Sequence, residues 1–512
     1  MVRKVLFASL PTFLILGLFA IGFVGEPEND PWLNSSPLWG PGDPFYAEDP
    51  RKRNHLADPV LIWRGRPGYR GEQVSTATGV VNPVHNNAYG FRDAEVADPK
   101  PVNVTRILDI GDSATWGLNL ASAEDSYSAQ LGRLLDSGGG SWEVVNAGTV
   151  GYSSFQGAQL LRRWLRELDP DVVTVYLGNN DPAPGGLKDA DRVAASGGVL
   201  RRWLRRNRFY LLLEKALLHL RAAGLESDRS TLLAHVSAND SEALRDREAW
   251  YRLAARVTPE QYEQNLRDVI RLSREVGART ILLRVPLNPV WPLKVRPEAR
   301  LVLRPTDFWG AVRIEPGYLP RVRAGETVCS NSLAGHPYLC RVVPADLVGL
   351  PNLETLERRA TDPAAPEAER VRDAHNAAIH LLAGGDTAEA LARIEAALAA
   401  ADACGCVLPR QRAWMLHNRG AARLQLGRGD AAFESFAQAR ATWPFAMNPD
   451  YDERFLRVVE ELQVDWIDLP ALFAAADPRF GGSALIHDWV HPNERGNALI
   501  ARALAEKLRE AP

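Results

Sequence analysis

The chain has 512 residues, 46% of them hydrophobic and 24% charged, with a formal net charge of -3. That length is too great for one ordinary hydrophobic core and implies two or three units. The near-neutral balance excludes the strong basic excess of a typical nucleic-acid binder, so no nucleic-acid partner is expected.

Arg3 and Lys4 precede an uncharged apolar run over residues 5–25. The run is long enough to cross a bilayer as a helix. The two cations place its start on the cytoplasmic side and everything after it outside. The expectation is an N-terminal transmembrane anchor, residues 1–25, with an extracytoplasmic body in the periplasm or at the cell surface. A cleaved signal peptide is the alternative, but its apolar part is shorter and no good Ala-x-Ala site stands here. Residues 26–58, rich in Pro, Gly, Asn and Asp, read as a tether. Residues 59–104 read as a short β-rich lead-in ending in HNNAYGFRD.

The main domain opens at residue 105. The spacing predicts a strand over 105–110, a helix over 126–135, a strand over 142–146, a helix over 154–168 and a buried strand over 171–177. Residues 200–223 read as one basic helix with Arg201, Arg202, Arg205, Arg206 and Arg208 among apolar residues. A solvated basic face is the simpler reading of that helix, and a helix lying on an anionic membrane is the alternative. Thr258-Pro259-Glu260-Gln261 is a helix start with a capping box, and Gly277 ends that helix. A strand follows over 280–285. Strands alternating with helices predict an α/β, three-layer sandwich around a parallel sheet.

The strand pattern resumes only at 464–469, so residues 300–459 form an insertion too long for a plain loop. Within about 362–442 the segment LAGGDTA is echoed by LGRGDAA. The echo resembles tetratricopeptide repeats, with a longer period than usual; an unrelated Ala-rich helical hairpin is the alternative. Cys329 and Cys340 bracket a loop-like segment and can pair in an exported chain, with buried thiols as the other reading. Cys404 and Cys406 form C-x-C. No cluster has zinc spacing, and neither a metal nor a cofactor is expected.

Four short blocks carry the chemistry. Gly111-Asp112-Ser113 follows the first strand. NAGTVG, residues 146–151, follows the second, and Gly178-Asn179-Asn180-Asp181 the third. Asp488 and His491 precede a helix over 494–508. Sites in open α/β sheets form at the carboxyl ends of the strands, where these blocks converge. Ser113 needs a base to take its proton. His491 can do so, with Asp488 fixing its tautomer. The Ser113 and Gly151 N–H groups and the Asn180 amide can bind the oxyanion. Gly148 competes with Gly151, and His487 with His491. Taken together, GDSATWG, NAGTVGYS, GNND and DWVH resemble the SGNH (GDSL-type) hydrolase superfamily, with Ala114 in place of the usual leucine. The resemblance covers about 105–182, 258–290 and 460–510. It implies an SGNH, flavodoxin-like fold, no metal, Ser113, Asp488 and His491 as the triad, and Ser113, Gly151 and Asn180 as the oxyanion hole.

The expected function is a membrane-anchored serine ester hydrolase acting on acyl esters of an exported glycan or glycolipid. An O-acyltransferase of exported polysaccharide would use the same acyl-enzyme. A catalytically vestigial scaffold, binding a protein partner through its helical insert, is the reading from another class. The insert leaves the sheet at its catalytic edge, so it is placed to wall the cleft.

Overall fold

The computed structural model describes residues 20–25, 30, 32–33, 53–74, 81–138, 141–183, 188–195, 199–223, 245–287, 301–303, 311–314, 328–331, 340–343, 352–384, 386–443, 449–478, 482–487 and 490–510. The lead-in contributes two antiparallel hairpins, β1 (His55–Asp58) with β2 (Ile62–Gly65) and β3 (Arg70–Val74) with β4 (Val81–His85). Then comes β5 (Thr105–Gly111), which runs into a short helix α1 (Ser113–Trp116), followed by α2 (Tyr127–Asp136), β6 (Trp142–Asn146), α3 (Ser154–Leu168) and β7 (Val172–Tyr176).

Three helices, α4 (Asp189–Ala195), α5 (Val199–Leu204) and α6 (Arg208–Ala223), follow β7. The single basic helix expected over 200–223 is therefore two. The break falls at Asn207, whose side-chain oxygen accepts from the N–H groups of Phe209 (3.0 Å) and Tyr210 (3.2 Å) and so starts a new helix. Next are α7 (Arg247–Leu253), α8 (Pro259–Glu275) and β8 (Arg279–Arg284). The capping box on α8 is present, Thr258 and Gln261 each satisfying the other's backbone N–H. Gly277, at φ +79°, follows the end of that helix.

The insertion is not helical throughout. Strands β9 (Leu301–Leu303), β10 (Ala311–Ile314), β11 (Val328–Asn331) and β12 (Cys340–Val343) form a four-stranded antiparallel sheet before the helices begin. These strands are too short for their alternation to stand out in sequence. Cys329 and Cys340 lie on neighbouring strands of that sheet, Cys340 opposite Asn331; the expected side-chain pairing lies outside the described residues. Among the described residues five helices follow: α9 (Leu353–Ala360), α10 (Glu367–Gly384), α11 (Thr387–Cys404), α12 (Pro409–Gln425) and α13 (Gly429–Thr442). Their own core is made of small and aliphatic residues such as Ala378, Ile379, Ile394 and Ala421. The two echoed segments fall at the helix junctions, Asp386 at the N-cap position of α11 and Asp430 in the first turn of α13. A disulfide joins Cys404 to Cys406 at the end of α11, a pairing that C-x-C spacing alone did not suggest. The chain closes with α14 (Pro449–Leu462), β13 (Asp465–Asp468), α15 (Leu469–Ala476) and α16 (Glu494–Arg509).

The main sheet has the order β13-β8-β7-β5-β6, every neighbouring pair parallel. All five residues of β7 are buried, as are Ile107, Leu108, Ile110, Ile281 and Leu282 of its neighbours. A central strand buried along its whole length needs helices on both faces. They come in two groups, α2 with α16, and α3 with α8 and α14. The order reverses at β5, so β6 and β7 leave it on opposite sides. Their carboxyl ends open a crevice at that switch point.

Among the described residues no helix is long and apolar enough to cross a membrane. Most of the expected anchor, residues 1–19, lies outside the described residues.

Candidate active site

The end of β5 delivers the nucleophile. The Asp112 side chain accepts from the Ala114 N–H at 2.8 Å, capping α1 so that Ser113 is its first residue. A first-turn residue has no intrahelical acceptor for its N–H, so that group of Ser113 is left to serve another acceptor. Ser113 Oγ lies 2.7 Å from His491 Nε2, across 378 residues of sequence.

That meeting is built from backbone bonds at the far end of the chain. The His487 N–H donates to the His491 carbonyl (2.8 Å) and the Asn493 N–H to the Leu485 carbonyl (2.9 Å), closing a tight loop. Asn493 then caps α16 through the N–H groups of Arg495 and Gly496. Buried Asn497 joins the two halves. Its amide donates to the Pro492 carbonyl at 2.9 Å, and its oxygen accepts from the Tyr127 N–H at 2.9 Å. One side chain thus ties the histidine loop to the helix that follows the nucleophile. Asp488 lies outside the described residues. His487, the rival base, has its Nε2 3.7 Å from a carboxylate oxygen of Glu494.

The two candidate oxyanion glycines separate cleanly. The Gly148 N–H is already bound to Asn146 Oδ1 at 3.0 Å. A Cβ there would stand 2.3 Å from the Trp116 nitrogen, so Gly148 is required for close packing against α1. Gly151 has φ +78°, a conformation glycine adopts without strain. Among the described residues no protein acceptor takes its N–H. The Asn180 amide donates to the Tyr152 carbonyl at 3.0 Å and makes a long 3.4 Å contact to Asp112 Oδ2. Asn179 donates to the same Asp112 oxygen at 3.2 Å.

Asp112 is fully buried, and desolvation pushes its carboxyl up to about 6, against the lowering effects of the Ala114 N–H, His491 and Asn179. Asn179→Ala removes one of those lowering donors. The Asp112 pKa then rises further, and the carboxylate that receives the Asn180 amide is lost at higher pH. The acid limb of the kcat–pH profile should move up in this variant; an unmoved limb would separate Asp112 from turnover.

Sequence reasoning missed the lead-in's part in the site. The Trp63 indole N–H donates to the Val150 carbonyl at 3.0 Å. That carbonyl belongs to the peptide whose N–H is Gly151's, and in a trans peptide the two point in opposite directions. Gripping the oxygen therefore aims the hydrogen. The Tyr152 hydroxyl returns a bond to the Trp63 carbonyl at 2.8 Å. Buried Arg256 takes the next carbonyl, Gly151 O, at 2.7 Å, and is itself held by Asp189 at 2.8 Å. Its guanidinium lies 5.1 Å from the Trp63 ring centroid. Trp63→Phe keeps an aromatic side chain, though a smaller one, and drops the donor. A hydrogen bond of this kind contributes about 1 kcal/mol, so kcat should fall roughly fivefold to tenfold with KM little changed. A matching change in KM alone would mean that Trp63 shapes substrate binding instead.

Arg92, from the HNNAYGFRD segment, donates to the carbonyls of Trp116 (3.3 Å) and Gly117 (3.1 Å) at the end of α1, its guanidinium 4.3 Å from the Trp116 ring centroid. The helical insert touches the same neighbourhood. Trp443 packs edge-on against Trp250, whose indole donates to the Pro182 carbonyl, next to the Asn180–Asp181 turn. Glu367, Cys404 and Cys406 bring three possible metal-ligand atoms together. The two sulfurs are joined to each other, which removes the thiolates a metal would need.

A parallel α/β sheet with a serine–histidine pair and backbone N–H groups near its switch point is the arrangement that acyl transfer through a serine requires. Residues 110–307 match the family model described as the GDSL-like Lipase/Acylhydrolase family. His491 lies beyond the matched span and completes the site through the fold. Similar solved structures include TesA, at 21% identity over 37% of this chain and 64% of that one, with a TM-score of 0.21. The psychrotrophic esterase EstA from Pseudoalteromonas sp. shares 17% identity over 36% of this chain and 60% of its own, with a TM-score of 0.19. In both cases the match spans less than two thirds of the relative. LAE5, described as an alpha/beta hydrolase enzyme from the metagenome of Lake Arreo, Spain, shares 14% identity over 80% of this chain and 97% of its own, with a TM-score of 0.30. No curated protein matches the chain significantly.

Proposed function

We propose that the protein is a membrane-anchored, extracytoplasmic serine ester hydrolase that removes acyl groups, acetyl foremost, from a glycan or glycolipid. The observation that carries the hydrolase reading is the 2.7 Å approach of His491 Nε2 to Ser113 Oγ. The anchor reading rests on the uncharged run at residues 5–25 and the two cations before it.

In the proposed reaction His491 takes the Ser113 proton as Oγ attacks the ester carbonyl. The carbonyl oxygen becomes an oxyanion held by the N–H groups of Ser113 and Gly151 and by the Asn180 amide. Collapse breaks the ester bond, and His491 returns its proton to the leaving alcohol. Water then attacks the acyl-Ser113 ester with His491 again as base, releasing the acid and the free serine. Asp488 acts as the carboxylate partner of the imidazole. The N-terminal tether and the insert suit a substrate delivered at a surface rather than a freely diffusing small ester.

The test is covalent capture. A fluorophosphonate should label the full-length protein at Ser113, and Ser113→Ala should abolish labelling. An acyl-enzyme trapped with a candidate acetylated glycan should add the mass of one acetyl group to the peptide bearing Ser113. A parent protein that resists the probe is not a serine hydrolase, and a label elsewhere moves the nucleophile.

A further inference from the structure

The pair α5 and α6 is amphipathic the wrong way round for a soluble protein. Phe209, Leu212, Leu213, Ala216 and Leu217 follow the i, i+3, i+4, i+7, i+8 rhythm of one helix face, and all five are exposed. The inward side of α6 is different, with buried Leu211 and with Lys215, which donates to the Trp32 carbonyl and lies over its ring. A helix packed on a globular core turns its apolar stripe inward. Here the stripe faces out, and Leu200 and Trp203 of α5 are exposed too. Single exposed apolar residues are commonplace, but a contiguous stripe of them marks an interaction surface.

Three observations say what covers it. The uncharged run of residues 5–25 ends here, since the Arg208 N–H donates to the Gly22 carbonyl at 2.8 Å, and the Phe23 ring lies 4.8 Å from that of Trp203. Ile21 and Val24 at the end of the run are exposed, 62% and 68%, beside this face. Arg206 and Arg208 are exposed at its N-terminal end. A tryptophan and arginines rimming an apolar stripe are the composition of a helix lying in a bilayer interface, where the apolar side sinks and the cations meet anionic headgroups.

We infer that α5 and α6 form a membrane-docking face, seated in the interface of an anionic bilayer beside the N-terminal run. This rests on the anchored reading proposed above and goes beyond it. An anchor alone lets the body swing on its tether. A docked α5–α6 face fixes the body against the membrane and makes an ester presented at the bilayer surface the favoured substrate.

The test uses full-length protein in vesicles of phosphatidylcholine with phosphatidylglycerol, with the phosphatidylcholine brominated in the upper acyl chain as a quencher. Leu217→Trp, and separately Leu213→Trp, places a new fluorophore on exposed positions of the stripe where folding is not at stake. The emission added by either tryptophan should be lost in brominated vesicles, and the loss should be smaller in vesicles of phosphatidylcholine alone. Retention of the protein after alkaline carbonate washing reports the anchor independently. Protein that is retained but whose added tryptophans stay bright overturns the docking face and leaves the anchor standing. Protein that is washed out but was quenched beforehand removes the anchor and keeps the docking face. Added tryptophans that stay bright while the protein self-associates assign the stripe to a second copy and overturn the proposal.

Discussion

His491→Ala should reduce kcat on an ester substrate by about four orders of magnitude or more, while His487→Ala should cost less than about tenfold. The two histidines are four residues apart in one loop, so the comparison holds the local fold nearly constant. His491 Nε2 stands 2.7 Å from the nucleophile. The His487 ring instead points toward Glu494, with 3.7 Å between Nε2 and the carboxylate. The His487 backbone N–H is bonded to the His491 carbonyl. Alanine keeps that bond. Melting temperatures of both variants should stay close to the parent, since neither ring is central to the packed core. Parent-like turnover in His491→Ala, or a reversal of the ranking, would show that another group takes the Ser113 proton.

The positions of Ser113, Gly151 and Asn180 at one rim of the sheet were legible because each follows a strong local signal. Mostly apolar strands precede Gly111, Asn146 and Gly178, and strand ends on one sheet share one rim. The boundaries of β6 and α3 coincide with the sequence reading, since Ser153 with Gln156, and the Asp169 cap in the left-handed region, bracket α3. The groups that aim these residues were not legible. Trp63 acts on Val150, 87 residues away, and Arg256 on Gly151, 105 away. Neither contact leaves a periodicity, because each depends on a side chain reaching a backbone carbonyl in another element. Asn497 is the same case. It looks like an ordinary helical asparagine, but being buried it must satisfy its amide, and it does so across the histidine loop and α2. The break between α5 and α6 was missed because a capping asparagine inside a continuous amphipathic pattern leaves the pattern intact. The outward-facing stripe could not be read at all, since periodicity says which residues share a face and not which way that face turns.

Asn180→Ala should slow turnover on the order of a hundredfold to a thousandfold with only a small loss of stability. The amide sits just past the end of β7, one hydrogen donated to the Tyr152 carbonyl (N···O 3.0 Å) and the other directed to Asp112 Oδ2 (N···O 3.4 Å). The second contact is long enough to be weak, so that hydrogen can turn to a developing oxyanion at little cost. The Tyr152 carbonyl keeps the amide nitrogen in place while it does so. Asn180→Asp is the sharper variant. It is nearly isosteric, but it brings an acceptor where a donor is needed and a second carboxyl beside Asp112. Its kcat should fall at least as far as in the alanine variant, whereas a group serving only to hold the turn would tolerate the exchange better than truncation. KM should change little in either case, because the interaction strengthens as negative charge develops. Turnover within about threefold of the parent in Asn180→Ala, with the fold intact by melting temperature, would remove this residue from the oxyanion site. Stabilisation of the oxyanion would then rest on the Ser113 and Gly151 N–H groups, the second of which Trp63 and Arg256 hold in place.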